Sequence, residues 1–226
     1  MKKAFLAGCA LLCLAALVPA AGCSKKVDLT DYVSEYRSDI YMGTEGDYSV
    51  FASVSFREYP YVADGNAGET QQLFEVTLSV PDNTKTYSIG FSYGNVSKQA
   101  ELSFDSVIMV HTWSESLPAP TEKEIDFTIT CEEEESEPVT VRAASVKTEN
   151  VLSLGKLLET VSAQESERFS ALTSEHTFLG ELYVRLLSEA DDCFYYIGLT
   201  DRNGKTFSML CDAENGEVIA TKEQQQ

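Results

Sequence analysis

From Asp47 onward the chain alternates apolar and polar residues with a period of two. Tyr48, Val50, Ala52, Val54 and Phe56 share one face, as do Phe74, Val76, Leu78 and Val80 after them. Pro81-Asp82-Asn83-Thr84 marks a turn, and Tyr87, Ile89, Phe91 and Tyr93 resume the alternation. Strict alternation puts every second side chain on one side of a pleated strand, which predicts strands with one buried face. Ala100, Leu102 and Phe104 predict a fourth strand, and Val107 to Trp113 a fifth. Pro118 and Pro120 fix a loop, after which Ile125, Phe127, Ile129 and Cys131 oppose Val139, Val141 and Ala143 across an acidic turn. Closely spaced strands with a single apolar face predict an antiparallel β-sandwich of immunoglobulin-like size. The Cys-Trp-Cys pattern of a true immunoglobulin domain is absent from the sequence.

The period changes on either side of this region. Leu29, Tyr32, Val33, Tyr36 and Ile40 fall at helical spacing, so a short helix or turn is expected within Val27 to Gly46. Beyond Asn150, Leu154, Leu157, Leu158 and Val161 recur at i, i+3, i+4 and i+7 behind Ser153 as N-cap, predicting a helix. Ser162 and Glu165 have capping-box spacing, so the helix is expected to break there and to end near Leu172. Three strands follow, Leu179 to Leu187, Cys193 to Thr200 and Thr206 to Asp212, with a short fourth at Glu217 to Thr221. Asn203-Gly204 and Asn215-Gly216 are hairpin turns by composition. The expected fold is therefore mainly β with an α+β second domain, a helix packed on a small antiparallel meander.

Residues 1 to 26 have a different character. Lys2 and Lys3 precede an apolar run, Ala4 to Val18, that is short for a membrane span. Ala20-Ala21-Gly22-Cys23 follows and resembles the lipobox of bacterial lipoproteins. That resemblance implies cleavage before Cys23 and a diacylglyceryl group on its sulfur. It places the protein at a bacterial cell membrane, lipid-anchored and facing the extracytoplasmic side. The implied organisation is a signal peptide over 1–22, a lipidated N-terminus and tether over 23–46, a β-sandwich over 47–148, an α+β unit over 149–222, and a tail over 223–226.

Phe194-Tyr195-Tyr196-Ile197-Gly198-Leu199, the turn Asp201 to Lys205, and Phe207 through Asp212-Ala213 to Gly216 and Ile219 resemble the last hairpins of a PepSY-like domain. The resemblance implies an extracytoplasmic interaction module associated with peptidase control, without catalytic residues.

Charge limits the partners. The chain carries a formal charge of −19, and loss of Lys2 and Lys3 takes it to −21. Such a surface repels a phosphate backbone, which argues against nucleic-acid binding. Of six cysteines, Cys9 and Cys13 leave with the leader and Cys23 is acylated. The remaining Cys131, Cys193 and Cys211 form no disulfide framework; Cys193 and Cys211 are expected as buried thiols on neighbouring strands.

Catalytic chemistry finds little support. Gly90-Phe91-Ser92-Tyr93-Gly94 matches G-x-S-x-G, but it lies inside a period-two strand and not at a strand-to-helix turn. His111 and His176 stand alone and read as half-exposed surface residues, so no metal site and no cofactor is expected. The run Glu132 to Glu137 reads as a solvated hairpin tip, with a calcium site as its alternative. The segment Phe56 to Gly68 concentrates binding-type side chains: Arg57, Glu58, Tyr59, Tyr61 and Asp64 around Pro60 and Gly65. Tyrosines offer large contact area at low entropy cost, which suits a protein, peptide or glycan partner. The expected function is that of a non-catalytic binding or scaffold protein; the alternative is a PepSY-like regulator of an extracytoplasmic peptidase.

Overall fold

The computed structural model describes residues 27–223 apart from 61, 63, 134–136 and 191. Cys23 and the rest of 1–26 lie outside the described residues, as does Tyr61. The fold is mainly β and overwhelmingly antiparallel. In chain order the elements are β1 (Val33–Glu45), β2 (Tyr48–Glu58), β3 (Thr70–Ser79), β4 (Tyr87–Tyr93), β5 (Val96–Glu101), β6 (Ser103–Asp105), β7 (Val110–Glu115), β8 (Glu124–Cys131) and β9 (Val139–Ser145). Then come α1 (Leu154–Gln164), α2 (Ser166–Ala171), the two-residue pair β10 (Thr173–Ser174) and β11 (Thr177–Phe178), β12 (Gly180–Glu189), β13 (Asp192–Asp201), β14 (Thr206–Asp212) and β15 (Val218–Glu223).

The organising strand is β1. Its first half pairs in parallel with β12, Val33 to Arg37 against Leu182 to Arg185. Its length pairs antiparallel with β2, and its second half also meets β9 at Tyr41↔Ser145 and Met42↔Ala144. One path of strands therefore runs β15-β14-β13-β12-β1-β2-β3-β7-β6, and a second leaves β1 through β9-β8-β4-β5. The two paths curl face to face into a barrel-like closure, clasped between β5 and β7 by the Lys98–Glu115 ion pair.

The described residues form two apolar clusters. The first lies inside the closure and is rich in rings: Phe74 sits 5.3 Å from both Phe91 and Tyr93, and Phe127 5.3 Å from Phe91. The second lies between the helices and the β12–β14 face, where Leu157, Leu158, Val161 and Phe169 meet Leu182, Val184, Tyr195 and Ile197. Ile40 and Tyr41 are adjacent on β1 and 1% and 2% exposed. Successive side chains of a strand point to opposite faces, so Ile40 enters the second cluster and Tyr41 the first.

Several expectations are corrected here. The stretch read as helix or turn is a single 3₁₀ turn, Leu29–Tyr32, followed by the long strand β1. Because both faces of β1 are covered, its apolar residues do not alternate, and they mimic helical spacing. Val107 to Met109 belong to the β6–β7 turn; the strand begins at Val110. His111 is buried, not half-exposed, packed 5.0 Å from the Tyr87 ring and 5.2 Å from Phe104. Burial lowers its basicity, and neither ring nitrogen has a hydrogen-bond partner among the described residues. The helix break falls at Glu165, and Ser153 occupies the N-cap position without a side-chain cap bond. Cys131, Cys193 and Cys211 are free thiols, with Cys193 half-buried and the other two buried. In the Asn203-Gly204 turn the glycine takes the positive φ, +78°, while the Asp201 carboxylate accepts the Asn203 and Lys205 N–H groups.

The crossing of β1 and β9 depends on Gly43. A Cβ there would lie 2.2 Å from the Arg142 carbonyl oxygen and 2.9 Å from Ala143 Cα, both fixed backbone atoms. We expect Gly43→Ala to force β9 away from β1 and cost about 1–3 kcal/mol, read as a lower midpoint in urea unfolding. An unchanged midpoint would show that β9 yields freely.

Candidate functional site

The segment singled out by sequence connects β2 to β3 and folds back over one face of the long sheet. Arg57 and Glu58 are on β2 itself, not on irregular backbone. Arg57 Nη2 donates to Glu75 Oε1 on β3 at 2.9 Å, so its partner is the neighbouring strand and not Glu58. Glu58 is buried and accepts the Gly68 N–H, which ties the end of the connection to its beginning. Asp64 is exposed and spends Oδ1 on the Asn66 N–H at 2.9 Å, shaping an Asx turn. Tyr59, before Pro60, is 81% exposed. Arg57 and Glu58 thus end β2, and Tyr59 and Asp64 follow in the connection, each of Arg57, Glu58 and Asp64 with its own partner.

Gly65 fixes the position of this loop. It is buried with φ +78°, and a Cβ would come within 2.7 Å of Asp201 and Arg202 backbone atoms. Only a residue without a side chain lets the loop backbone lie directly on the β13–β14 turn. The loop consequently bridges the part of the chain around the first cluster to the part around the second.

Beneath it runs a polar face that sequence reading missed. Register places Glu181, Tyr183 and Arg185 of β12 beside Thr200, Gly198 and Tyr196 of β13 on one side, and Tyr183 and Arg185 beside Glu35 and Arg37 of β1 on the other. Arg185 grips Glu35 through two bonds, Nε–Oε1 at 2.8 Å and Nη2–Oε2 at 2.7 Å, the fork geometry that holds a carboxylate in plane. Arg37 Nε donates to the Leu186 carbonyl at 3.0 Å, with its guanidinium 5.7 Å from the Phe51 ring. The available signal was the alternation of Glu181, Tyr183 and Arg185 with Leu182, Val184 and Leu186. It reads equally well as an ordinary strand with a wet face, and only the overlying loop marks out Glu181 as buried while Arg185 stays partly exposed.

Glu181 is the most unusual group of this face. It has no solvent exposure; Tyr183 Oη donates to Oε1, and Oε2 has no hydrogen-bond partner among the described residues. Burial raises its proton affinity above that of an ordinary carboxylate; hydrogen bonds from Tyr183 and the Gly65 amide oppose this, and the charges of Glu58 and Asp64 add to it. Buried carboxyl, phenol and turn backbone make a support for the loop. Among the described residues no group of three or more His, Cys, Asp or Glu is arranged to hold a metal ion. Ser92 lies exposed on β4 with its Oγ donating to Ser97 Oγ at 3.2 Å. No helix among the described residues is long and apolar enough to cross a membrane.

A raised carboxyl pKa in the folded state has a defined sign. Its contribution to stability is complete below the unfolded-state pKa and is lost as pH rises through the folded one. Gln keeps an acceptor for Tyr183 and cannot ionise, so Glu181→Gln should gain stability relative to the native chain as pH rises from 4 to 8. Thermal melts across that range test this; a difference independent of pH would mean that Glu181 is equally ionised in both states.

Comparison of the chain with protein-family models, with curated proteins and with solved structures gives no match.

Proposed function

We propose that the protein is a non-catalytic surface lipoprotein that acts as a binding or scaffold module by protein-protein contact. The observation that carries this reading is an aromatic side chain, Tyr59, left 81% exposed on a loop whose base is fastened at Gly65, Glu58 and Gly68. A fastened loop loses little conformational freedom when it binds, so contact area at its tip converts efficiently into affinity. In this reading Cys23 carries the lipid, and the body stands at the outer face of a bacterial membrane. The region 47–148 is taken as a β-sandwich of immunoglobulin-like size and 149–222 as an α+β unit. The partner is a protein or peptide, with a glycan as the less favoured chemistry.

A second reading, regulation of an extracytoplasmic peptidase by a PepSY-like end, draws on one feature: α1 buries Leu157, Leu158 and Val161 against the β12–β14 meander. No nucleophile or cofactor is required in either reading.

Two measurements bear on the proposal. Cys23→Ala should abolish lipid incorporation and move the protein from the membrane fraction to the soluble one; retention in the membrane would remove the anchor from the reading. A photo-crosslinker at position 59 of the full chain in native cells should capture one partner in stoichiometric yield. Tyr59→Ala should weaken that partner's binding roughly ten-fold or more at unchanged melting temperature. Equal binding by Tyr59→Ala would exclude the loop as the contact.

A further inference from the structure

At the end of the sheet opposite the β2–β3 loop, three connections come together. Asn83 Nδ2 of the β3–β4 turn donates to the Met109 carbonyl of the β6–β7 turn at 3.0 Å. The Glu133 carboxylate, just past β8, accepts the Thr86 N–H at 2.9–3.0 Å, and the Glu132 N–H donates to the Thr86 carbonyl at 3.0 Å. The apex of this assembly is Val107-Ile108-Met109, respectively 88%, 59% and 56% exposed, with Phe104 41% exposed at its base. A lone exposed aliphatic residue is ordinary, but three in succession at a hairpin tip form a coherent apolar projection.

The projection is held in shape. Asp105 Oδ1 accepts the Val107 N–H at 2.8 Å and the Ile108 N–H at 3.4 Å, closing the turn from below. Met109 stands at φ +58°, a conformation suited to Gly or Asn, so an apolar side chain is kept where the backbone disfavours it. At the base of the turn Phe104 meets His111 at a tilt, 5.2 Å between ring centroids, and His111 meets Tyr87 edge-on at 5.0 Å.

The surroundings select the partner. Asp105 lies within the turn and Asp82 beside Asn83, which bonds Met109, while Glu132 and Glu133 join the same end of the sheet through Thr86; Lys85 is the cation paired with Asp82. Hydrogen bonds from Thr84 and Thr86 favour the charged forms of Asp82 and Glu133 respectively. This negative collar opposes an anionic bilayer and complements Lys or Arg. We propose that the β6–β7 tip is a second docking surface that takes a basic, amphipathic protein segment, its apolar side chains against Val107, Ile108 and Met109 and its cations against the surrounding carboxylates. It lies roughly 30 Å from the Tyr59 loop, the length of β3, so both surfaces can be occupied together.

The probe is a synthetic Leu/Lys amphipathic helix titrated calorimetrically into the full chain, beside a Leu/Glu peptide of the same pattern. The Leu/Lys peptide should bind with an affinity that falls as salt is raised, and the Leu/Glu peptide should not bind. Val107→Ser with Ile108→Ser should weaken binding roughly ten-fold or more at unchanged melting temperature, whereas Ile219→Ser, on exposed β15, should leave it intact. Val107→Ser alone, at the most exposed position, should give a smaller loss in the same direction. Equal binding by the tip variants would reduce the effect to adsorption on an acidic protein and overturn the proposal. So would absence of binding by the native chain. Tip-dependent binding to zwitterionic phosphatidylcholine vesicles, with none to the peptide, would overturn it in favour of a bilayer.

Discussion

The structure depends on one strand having two buried faces. β1 gives Tyr41 to the ring-rich cluster and Ile40 to the cluster under the helices, so neither core is complete without it. Main-chain bonds to β2, β9 and β12 hold it on both edges, and its parallel partner, β12, is where the C-terminal strands join the sheet. A segment so enclosed cannot slip in register, because a shift of one residue would exchange Ile40 and Tyr41 between the cores. The Gly43 contact with β9 belongs to the same constraint, since it sets how closely two backbones cross.

This shared strand also explains how the candidate site arises. Parallel pairing of β1 with β12 sets Glu35 beside Arg185, and the β2–β3 loop then lies against Glu181. Burial makes Glu181 costly to ionise, and the nearby Glu58 and Asp64 raise that cost. The loop is supported by a group whose protonation depends on its own closure. Its exposed Tyr59 and the apolar tip at Val107 to Met109 occupy opposite ends of the sheet. The two proposed contact surfaces therefore do not overlap.

Much of the strand content was legible in the sequence, because Asp47 to Ala143 follow period two and most turns carry Pro, Gly or Asx residues. The helix at Leu154 was legible from its i, i+3, i+4 pattern. β1 was not: with both faces covered it loses alternation, and its apolar spacing imitates a helix. The β6–β7 tip was misread for the opposite reason. Val107, Ile108 and Met109 are β-formers by composition, and propensity does not register that Asp105 caps their amides into a turn. His111 read as surface because a lone histidine in an alternating strand carries no mark of the Tyr87 and Phe104 rings packed against it.

For the candidate site, sequence determined which residues were available at the β2–β3 connection: a tyrosine beside a proline, an acid-glycine tip and an Arg-Glu pair. It also determined a strongly acidic chain and an N-terminal stretch, Ala20 to Cys23, that resembles a lipobox. Tertiary structure alone decided that Arg57 pairs with Glu75, that Gly65 lies on the β13–β14 turn, and that Glu181 is sealed beneath the loop. The division has a physical cause. Periodicity and turn chemistry are local and are written in neighbouring residues. Pairing between strands some 150 residues apart, such as Glu35 with Arg185, depends on how the faces of a finished sheet are covered.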